Sequence, residues 1–252
     1  MDAVHYTAEQ ISAILKDESW RGFDAKALTL LEESVQECVD LAYAELGHEY
    51  AMLFETLTDH SAKQIELFAQ RLEKAFPQKS KHYVLDVGAG HGVCTQHLAK
   101  QEKVKVKAIE PSEYFYARHL LEMEREGTLP FGCAMKADMC HLPFENATFE
   151  GVYCNAVLHH QLYLPGKNIG IEKAMSEFSR VLIKGGQLYI LTLLGEHHHI
   201  QNHKFFQSLE GADMEKLAKR NLLQIESMAE IVAKGPFGDQ TRWLEACLIK
   251  RT

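Results

Sequence analysis

The chain has 252 residues, 46% of them hydrophobic and 25% charged. That is the make-up of a soluble globular protein, long enough for one α/β domain with an appendage or for two small domains, and it excludes the disordered and fibrous classes. A formal charge of -8 at pH 7 argues against a nucleic-acid partner, because such proteins present a basic stripe to phosphate. Six cysteines (Cys38, Cys94, Cys133, Cys140, Cys154 and Cys247) lack C-x-x-C pairing and fall mostly in apolar segments. Neither a disulfide framework nor a structural zinc is expected. The start Met1-Asp2-Ala3-Val4-His5-Tyr6 has no basic stretch followed by an apolar one, and no apolar run approaches membrane-spanning length. A cytoplasmic location without membrane contact is the expectation.

The first 76 residues read as helices. Thr7-Ala8-Glu9-Gln10 has the form of a capping box, with Tyr6 and Ile11 placed as a hydrophobic staple, which predicts a helix over about 7–17. Asp24 is placed to cap a second helix, whose Leu28, Leu31, Val35, Val39, Ala42 and Leu46 recur at spacings of three and four. Gly47 is expected to end or bend it. A shorter segment follows over 48–57, and Ile65, Leu67, Phe68 and Leu72 mark a further helix that stops before Pro77. Tyr43, Tyr50 and Phe54 suit core packing, with a pocket wall as the alternative.

From Gln78 onward short β runs alternate with helical ones, which predicts a mostly parallel sheet with helices on both faces. Strands are expected over 82–87, 104–110, 132–137, 149–155 and 187–194, with a final antiparallel pair over 222–232 and 242–250. A helix over 170–182 is expected to close on a glycine cap at Lys184-Gly185-Gly186.

The first of these strands runs into Asp86-Val87-Gly88-Ala89-Gly90-His91-Gly92. A dinucleotide-binding turn reads G-x-G-x-x-G and offers helix N-terminal N–H groups to a pyrophosphate. Here Val93 stands at the third glycine's place, and the Asp86 carboxylate would repel phosphate, which disfavours a nicotinamide oxidoreductase. The D-x-G-x-G-x-G run resembles motif I of the class I S-adenosylmethionine-dependent methyltransferases. Their cofactor lacks phosphate and carries an ammonium and a sulfonium, so a carboxylate there is favourable.

In an open α/β sheet, ligands sit beyond the carboxyl ends of the strands, and further candidates stand at such ends. The resemblance implies that Glu110, followed by Pro111, accepts hydrogen bonds from both ribose hydroxyls. Ala137-Asp138-Met139-Cys140-His141-Leu142-Pro143-Phe144 is similar to the family's A-D-x-x-x-L-P-F stretch. There the Asp accepts from the adenine amine, and Met139 would supply an apolar face. Asn155-Ala156-Val157-Leu158-His159-His160 resembles the N-x-V-L-H-H stretch of the small-molecule branch, typified by the ubiquinone and menaquinone C-methyltransferases. Glu150 departs from that branch, which commonly has Asp at its place. Asp86, Gly88, Gly90, Glu110, Pro111, Asp138, Met139 and Asn155 are thus the expected cofactor-binding residues.

His159 and His160 are the candidate catalytic residues, because imidazole titrates near neutral pH and both follow a strand end beside the predicted site. A substrate-shaping or structural role for the pair is the favoured reading over base catalysis. His199 and His203, spaced i, i+4, would share a face on a helix, with Glu196 close by. No second ligand cluster accompanies them, so no metal site is expected and the 195–220 segment reads as a polar lid. The resulting picture is a seven-stranded Rossmann-like methyltransferase domain over 77–252, capped by helices over 1–76 and by an insertion over 195–220. It would use S-adenosylmethionine and act on a small-molecule acceptor. Protein methylation and a non-catalytic S-adenosylmethionine-binding module are the competing readings.

Overall fold

The computed structural model describes residues 5–54, 58–195, 198–201, 204–234 and 240–251. Helix α1 (Ala8–Lys16) begins with the expected capping box: Gln10 N donates to Thr7 Oγ1 at 3.3 Å and Thr7 N to Gln10 Oε1 at 2.8 Å. Asp24 Oδ1 accepts from Ala27 N at 2.8 Å and starts α2 (Ala25–Phe54). Contrary to the sequence expectation, α2 runs through Gly47 and takes in 48–54 of the predicted 48–57 segment, the rest of which lies outside the described residues. A single interior glycine costs a helix only about 1 kcal/mol, too little to end one with a long buried stripe. Helix α3 (Thr58–Ala75) stops before Pro77. Ile11, Leu15, Leu28, Leu31, Val35 and Val39 form one core cluster with Leu162 and Leu164, which docks α1 and α2 on the segment that follows strand β4.

The main sheet has the order β3-β2-β1-β4-β5-β9-β8. Strands β1 (His82–Val87), β2 (Val104–Ile109), β3 (Ala134–Met135), β4 (Phe149–Asn155) and β5 (Leu182–Leu193) are parallel, while β9 (Gln240–Lys250) runs antiparallel to both β5 and β8 (Leu223–Lys234). One face packs on α7 (Ile171–Val181) and α8 (Gly211–Arg220), through Ile171, Met175, Phe178, Met214 and Leu217. The other packs on α3 and α4 (Val93–Ala99), through Ile65, Phe68, Leu72 and Leu98. Residues 113–125 are helical, with a π turn at Tyr116–Leu120 between α5 (Glu113–Phe115) and α6 (Leu121–Arg125).

Two local expectations are corrected. Strand β3 is shorter than 132–137 because the Glu124 carboxylate takes the N–H groups of Gly132 (2.9 Å) and Ala134 (2.6 Å). The 184–186 glycines do not cap α7: Leu182 is already extended, and the glycines sit in β5, where the β4–β5 register shifts. A Cβ on Gly186 would lie 2.9 Å from Ile183 O. In the predicted lid, β6 (His198–Gln201) and β7 (Lys204–Gln207) pair antiparallel, and His199 is opposite Phe206 on a strand. Glu196, His197 and His203 lie outside the described residues. Helix α8 belongs to the sheet's core, which leaves the β6–β7 pair as the part of 195–220 that stands apart. Gln207 ties it down: its Oε1 accepts from Tyr163 N and its Nε2 donates to Tyr163 O, both at 2.7 Å.

Among the described residues, no helix is long and apolar enough to cross a membrane, and no group of His, Cys, Asp or Glu is placed to hold a metal ion.

Candidate functional site

A cleft enclosing about 820 Å³, its open mouth included, lies beyond the carboxyl ends of β1, β2 and β4 under α2. Its floor begins with the β1 turn. The Asp86 side chain is buried and accepts the Thr95 hydroxyl at 2.6 Å; burial outweighs that bond and pushes its pKa up to about 7. Gly88 has φ +65°, and a Cβ there would sit 2.3 Å from Val157 Cγ1, so glycine alone lets the β1 turn pass under the β4 turn. Gly90, at φ +51°, faces open space and donates its N–H to Glu110 Oε2 at 2.9 Å.

Glu110 follows β2. Its other oxygen accepts from Ser112 N at 2.9 Å, and burial pushes this carboxyl to about 7 as well, against the pull of the two N–H groups. Pro111 and buried Met139 complete this side of the cleft. At the end of β4, Asn155 lines the cleft with a buried Oδ1 that has no hydrogen-bond partner. Ala156 follows at φ +58°, a conformation uncommon outside glycine that turns the chain sharply over Gly88.

The expected residues do not all converge. His160 lines the cleft, with its Nε2 2.5 Å from the Tyr43 hydroxyl. His159 does not line it: it is 2% exposed, packs edge-on against Trp243 with ring centroids 5.7 Å apart, and is held well below the usual His pKa by burial. A buried imidazole kept neutral away from the cleft packs as an element of the core, which is the structural role weighed for it beside base catalysis. Asp138 is likewise absent from the described lining. Its side chain is 41% exposed and turns back on its own loop, with Oδ1 accepting from Cys140 N at 3.1 Å and Oδ2 facing His141. Asp86, Gly88, Gly90, Glu110, Pro111, Met139, Asn155 and His160 are brought together.

Sequence reasoning offered a helical cap with Tyr43 as a possible pocket wall, but missed Gln36 and Val39. Gln36, Val39 and Tyr43 of α2 face the cleft, and Tyr43 packs edge-on against Phe115 with centroids 5.0 Å apart. The signal was present as a polar Gln36 seven residues before Tyr43, two helical turns apart on one face. Glu150, the departure from the family pattern, lies at the start of β4, the end of the strand away from the cleft. It is buried there, accepts from Tyr83 N at 2.6 Å and pairs with Lys79.

Residues 85–190 match the family described as Methyltransferase domain. The chain is 27% identical over 141 residues to Methyltransferase GfsG of Streptomyces halstedii, covering 54% of this chain and 46% of that protein. It is 26% identical over 187 residues to sterol 24-C-methyltransferase ERG6B of Gibberella zeae, covering 68% of this chain and 47% of that one. The chain thus spans about half the length of these curated relatives. Among solved structures, the complex of a methyltransferase with the Trm112 methyltransferase activator of Haloferax volcanii gives a TM-score of 0.61 at 14% identity, over 84% of this chain and 98% of the other. Phosphoethanolamine N-methyltransferase 2 of Haemonchus contortus, solved with S-adenosyl-L-methionine, gives 0.54 at 15% identity over 74% of this chain and 53% of the other. The fold is the Rossmann-like one of these solved S-adenosylmethionine-dependent methyltransferases, and residues 85–190 are similar to the methyltransferase domain family.

Proposed function

With that domain as the premise, we propose that the chain binds S-adenosylmethionine in the cleft under α2 and transfers its methyl group to a small-molecule acceptor. One observation carries the reading. Asp86 and Glu110, two buried carboxyls pushed to about 7, line a cleft whose described lining contains no Lys or Arg. Two such groups are relieved by a cation, and they repel the pyrophosphate of a dinucleotide.

The residues fit the cofactor in kind. Glu110 holds two backbone N–H groups and retains lone pairs for ribose hydroxyls. Gly90 leaves open space where a side chain would intrude, and Met139 offers an apolar face to the base. The partnerless Oδ1 of Asn155 suits an ammonium N–H, and Asp86 adds negative charge on the same side. When bound, S-adenosylmethionine supplies an electrophilic methyl on an excellent leaving group. The protein's part is then to align the acceptor and exclude water, for which proximity alone is worth many orders of magnitude. Tyr43 and His160, joined across the cleft, are placed to meet the acceptor and orient it.

A small-molecule acceptor is favoured by the roof of α2 over the cleft, and one curated relative is named for a sterol substrate. The Asn155–His160 stretch further supports placing the chain in the ubiquinone and menaquinone C-methyltransferase-like branch. Calorimetric titration tests the cofactor, with S-adenosylmethionine and S-adenosylhomocysteine expected to bind and NAD not. Saturable NAD binding without a response to S-adenosylmethionine overturns the reading. Radiolabelled methyl transfer to fractionated metabolites tests the acceptor class, and transfer to proteins alone overturns it.

A further inference from the structure

Gln36 and Asp40 stand one turn apart on α2, and Gln36 Nε2 donates to Asp40 Oδ1 at 3.0 Å. Gln36 lines the same cleft as Glu110 and Met139. Gln36, Val39 and Tyr43 share that lining with Glu110 and Pro111, and Tyr43 packs on Phe115, so this face of α2 meets the end of β2. That is the side of the cleft assigned above to ribose and base. Asp138, the residue that the family pattern offers for the adenine amine, is outside the described lining and engaged with its own loop.

With one N–H fixed on Asp40, the Gln36 amide is held in one orientation and keeps its carbonyl oxygen and second N–H for a ligand. An acceptor and a donor side by side on a planar amide match an adenine edge, where an exocyclic amine donates next to an accepting ring nitrogen. The same pairing underlies amide side-chain recognition of adenine in nucleic acids. We propose that Gln36, oriented by Asp40, reads the cofactor's adenine from α2, so that the N-terminal helical segment completes the cofactor site as well as covering the acceptor. The inference rests on the S-adenosylmethionine reading above.

The test compares S-adenosylhomocysteine with S-inosylhomocysteine, which has a keto group in place of the adenine amine and a proton on the neighbouring N1, by calorimetry on the full chain. The wild type should prefer S-adenosylhomocysteine by roughly tenfold or more, as expected when a site built to pair with an N–H group meets an analogue lacking it. Gln36→Ala should weaken S-adenosylhomocysteine by roughly tenfold and S-inosylhomocysteine by much less, which collapses the ratio. Asp40→Asn, which keeps an accepting oxygen for the amide, should retain most of the preference, whereas Asp40→Ala should lose part of it. Equal weakening of both ligands by Gln36→Ala signals a folding defect rather than base reading and overturns the proposal. So does an unchanged ratio in Gln36→Ala, or a collapse confined to Asp138→Asn. If the wild type binds neither ligand, the cofactor reading itself falls, an outcome distinct from those three.

Discussion

The Tyr43 hydroxyl and His160 Nε2 lie 2.5 Å apart, joining a helix outside residues 85–190 to the turn that follows β4. Their rings meet edge to face, with centroids 5.4 Å apart, so the pair fixes one wall of the cleft. Displacement at a sulfonium draws chiefly on alignment. Tyr43→Phe and His160→Gln should therefore raise the acceptor KM with less than about tenfold change in kcat, and should leave S-adenosylhomocysteine affinity intact. Steady-state kinetics with the acceptor found in the metabolite screen checks this. A kcat loss of about 10²–10⁴ with a flattened acid limb of the pH profile would assign base catalysis to the pair instead.

What the sequence made legible was local. The capping box at Thr7, the cap at Asp24, the β1 glycine turn and the carboxylate after β2 are each written within a few residues, and each stands where expected. Contacts between distant segments were not legible. Nothing near His159 and His160 says that one ring packs on Trp243 while the other meets Tyr43, because that separation is made by β9 and α2. The strands at 198–201 and 204–207 were not drawn from the sequence for a related reason: segments of four residues are too short to show a period.

Binding should depend on pH in a definite direction. Asp86 and Glu110 rise from ordinary values of 3.8 and 4.5 to about 7 through burial. A cationic ligand favours their ionised forms, so S-adenosylhomocysteine, which keeps the ammonium, should bind best above pH 7 and weaken as pH falls through 7. The loss should approach roughly tenfold per pH unit for each carboxyl that must give up a proton. The sign for stability is the reverse. The folded state holds protons that the unfolded chain has released, so the contribution of these two carboxyls to stability without cofactor is largest below their ordinary values and is lost as pH rises through about 7. Calorimetry in buffers of different ionisation enthalpy should show proton release on binding near neutral pH. Affinity that is flat, or that grows with acid, would place the carboxyls away from the ligand.

The two glycines of the β1 turn should behave differently. Gly90→Ala meets open space and carries only the strain of a side chain at φ +51°, about 1–2 kcal/mol. Gly88→Ala carries the same kind of strain at φ +65° and also drives a methyl to 2.3 Å from Val157 Cγ1. It should cost about 2–4 kcal/mol in all. Thermal melts of the two variants decide the matter, and a Gly90→Ala protein less stable than Gly88→Ala would show that the β4 turn gives way more readily than its geometry implies.

The last prediction concerns the far end of β4, where Glu150 is buried and its partner Lys79 is 42% exposed on the side chain. Glu150→Gln keeps an accepting oxygen for Tyr83 N–H and leaves Lys79 free to be hydrated, so it should cost about 1 kcal/mol. Glu150→Ala strips Tyr83 N–H of its acceptor and should cost about 1–3 kcal/mol from that bond, with a further loss from the cavity. Lys79→Met should be worse than Glu150→Gln at neutral pH, by about 1–2 kcal/mol, because it leaves a carboxylate in the core without its counter-charge. The order runs against intuition, since the more exposed partner is the costlier one to remove. Chemical denaturation of the three variants measures it, and S-adenosylhomocysteine affinity should stay unchanged in all of them, because Glu150 and Asn155 sit at opposite ends of the strand. If Lys79→Met is as stable as wild type, the pair contributes nothing, and the Tyr83 N–H bond alone explains an acid at this position.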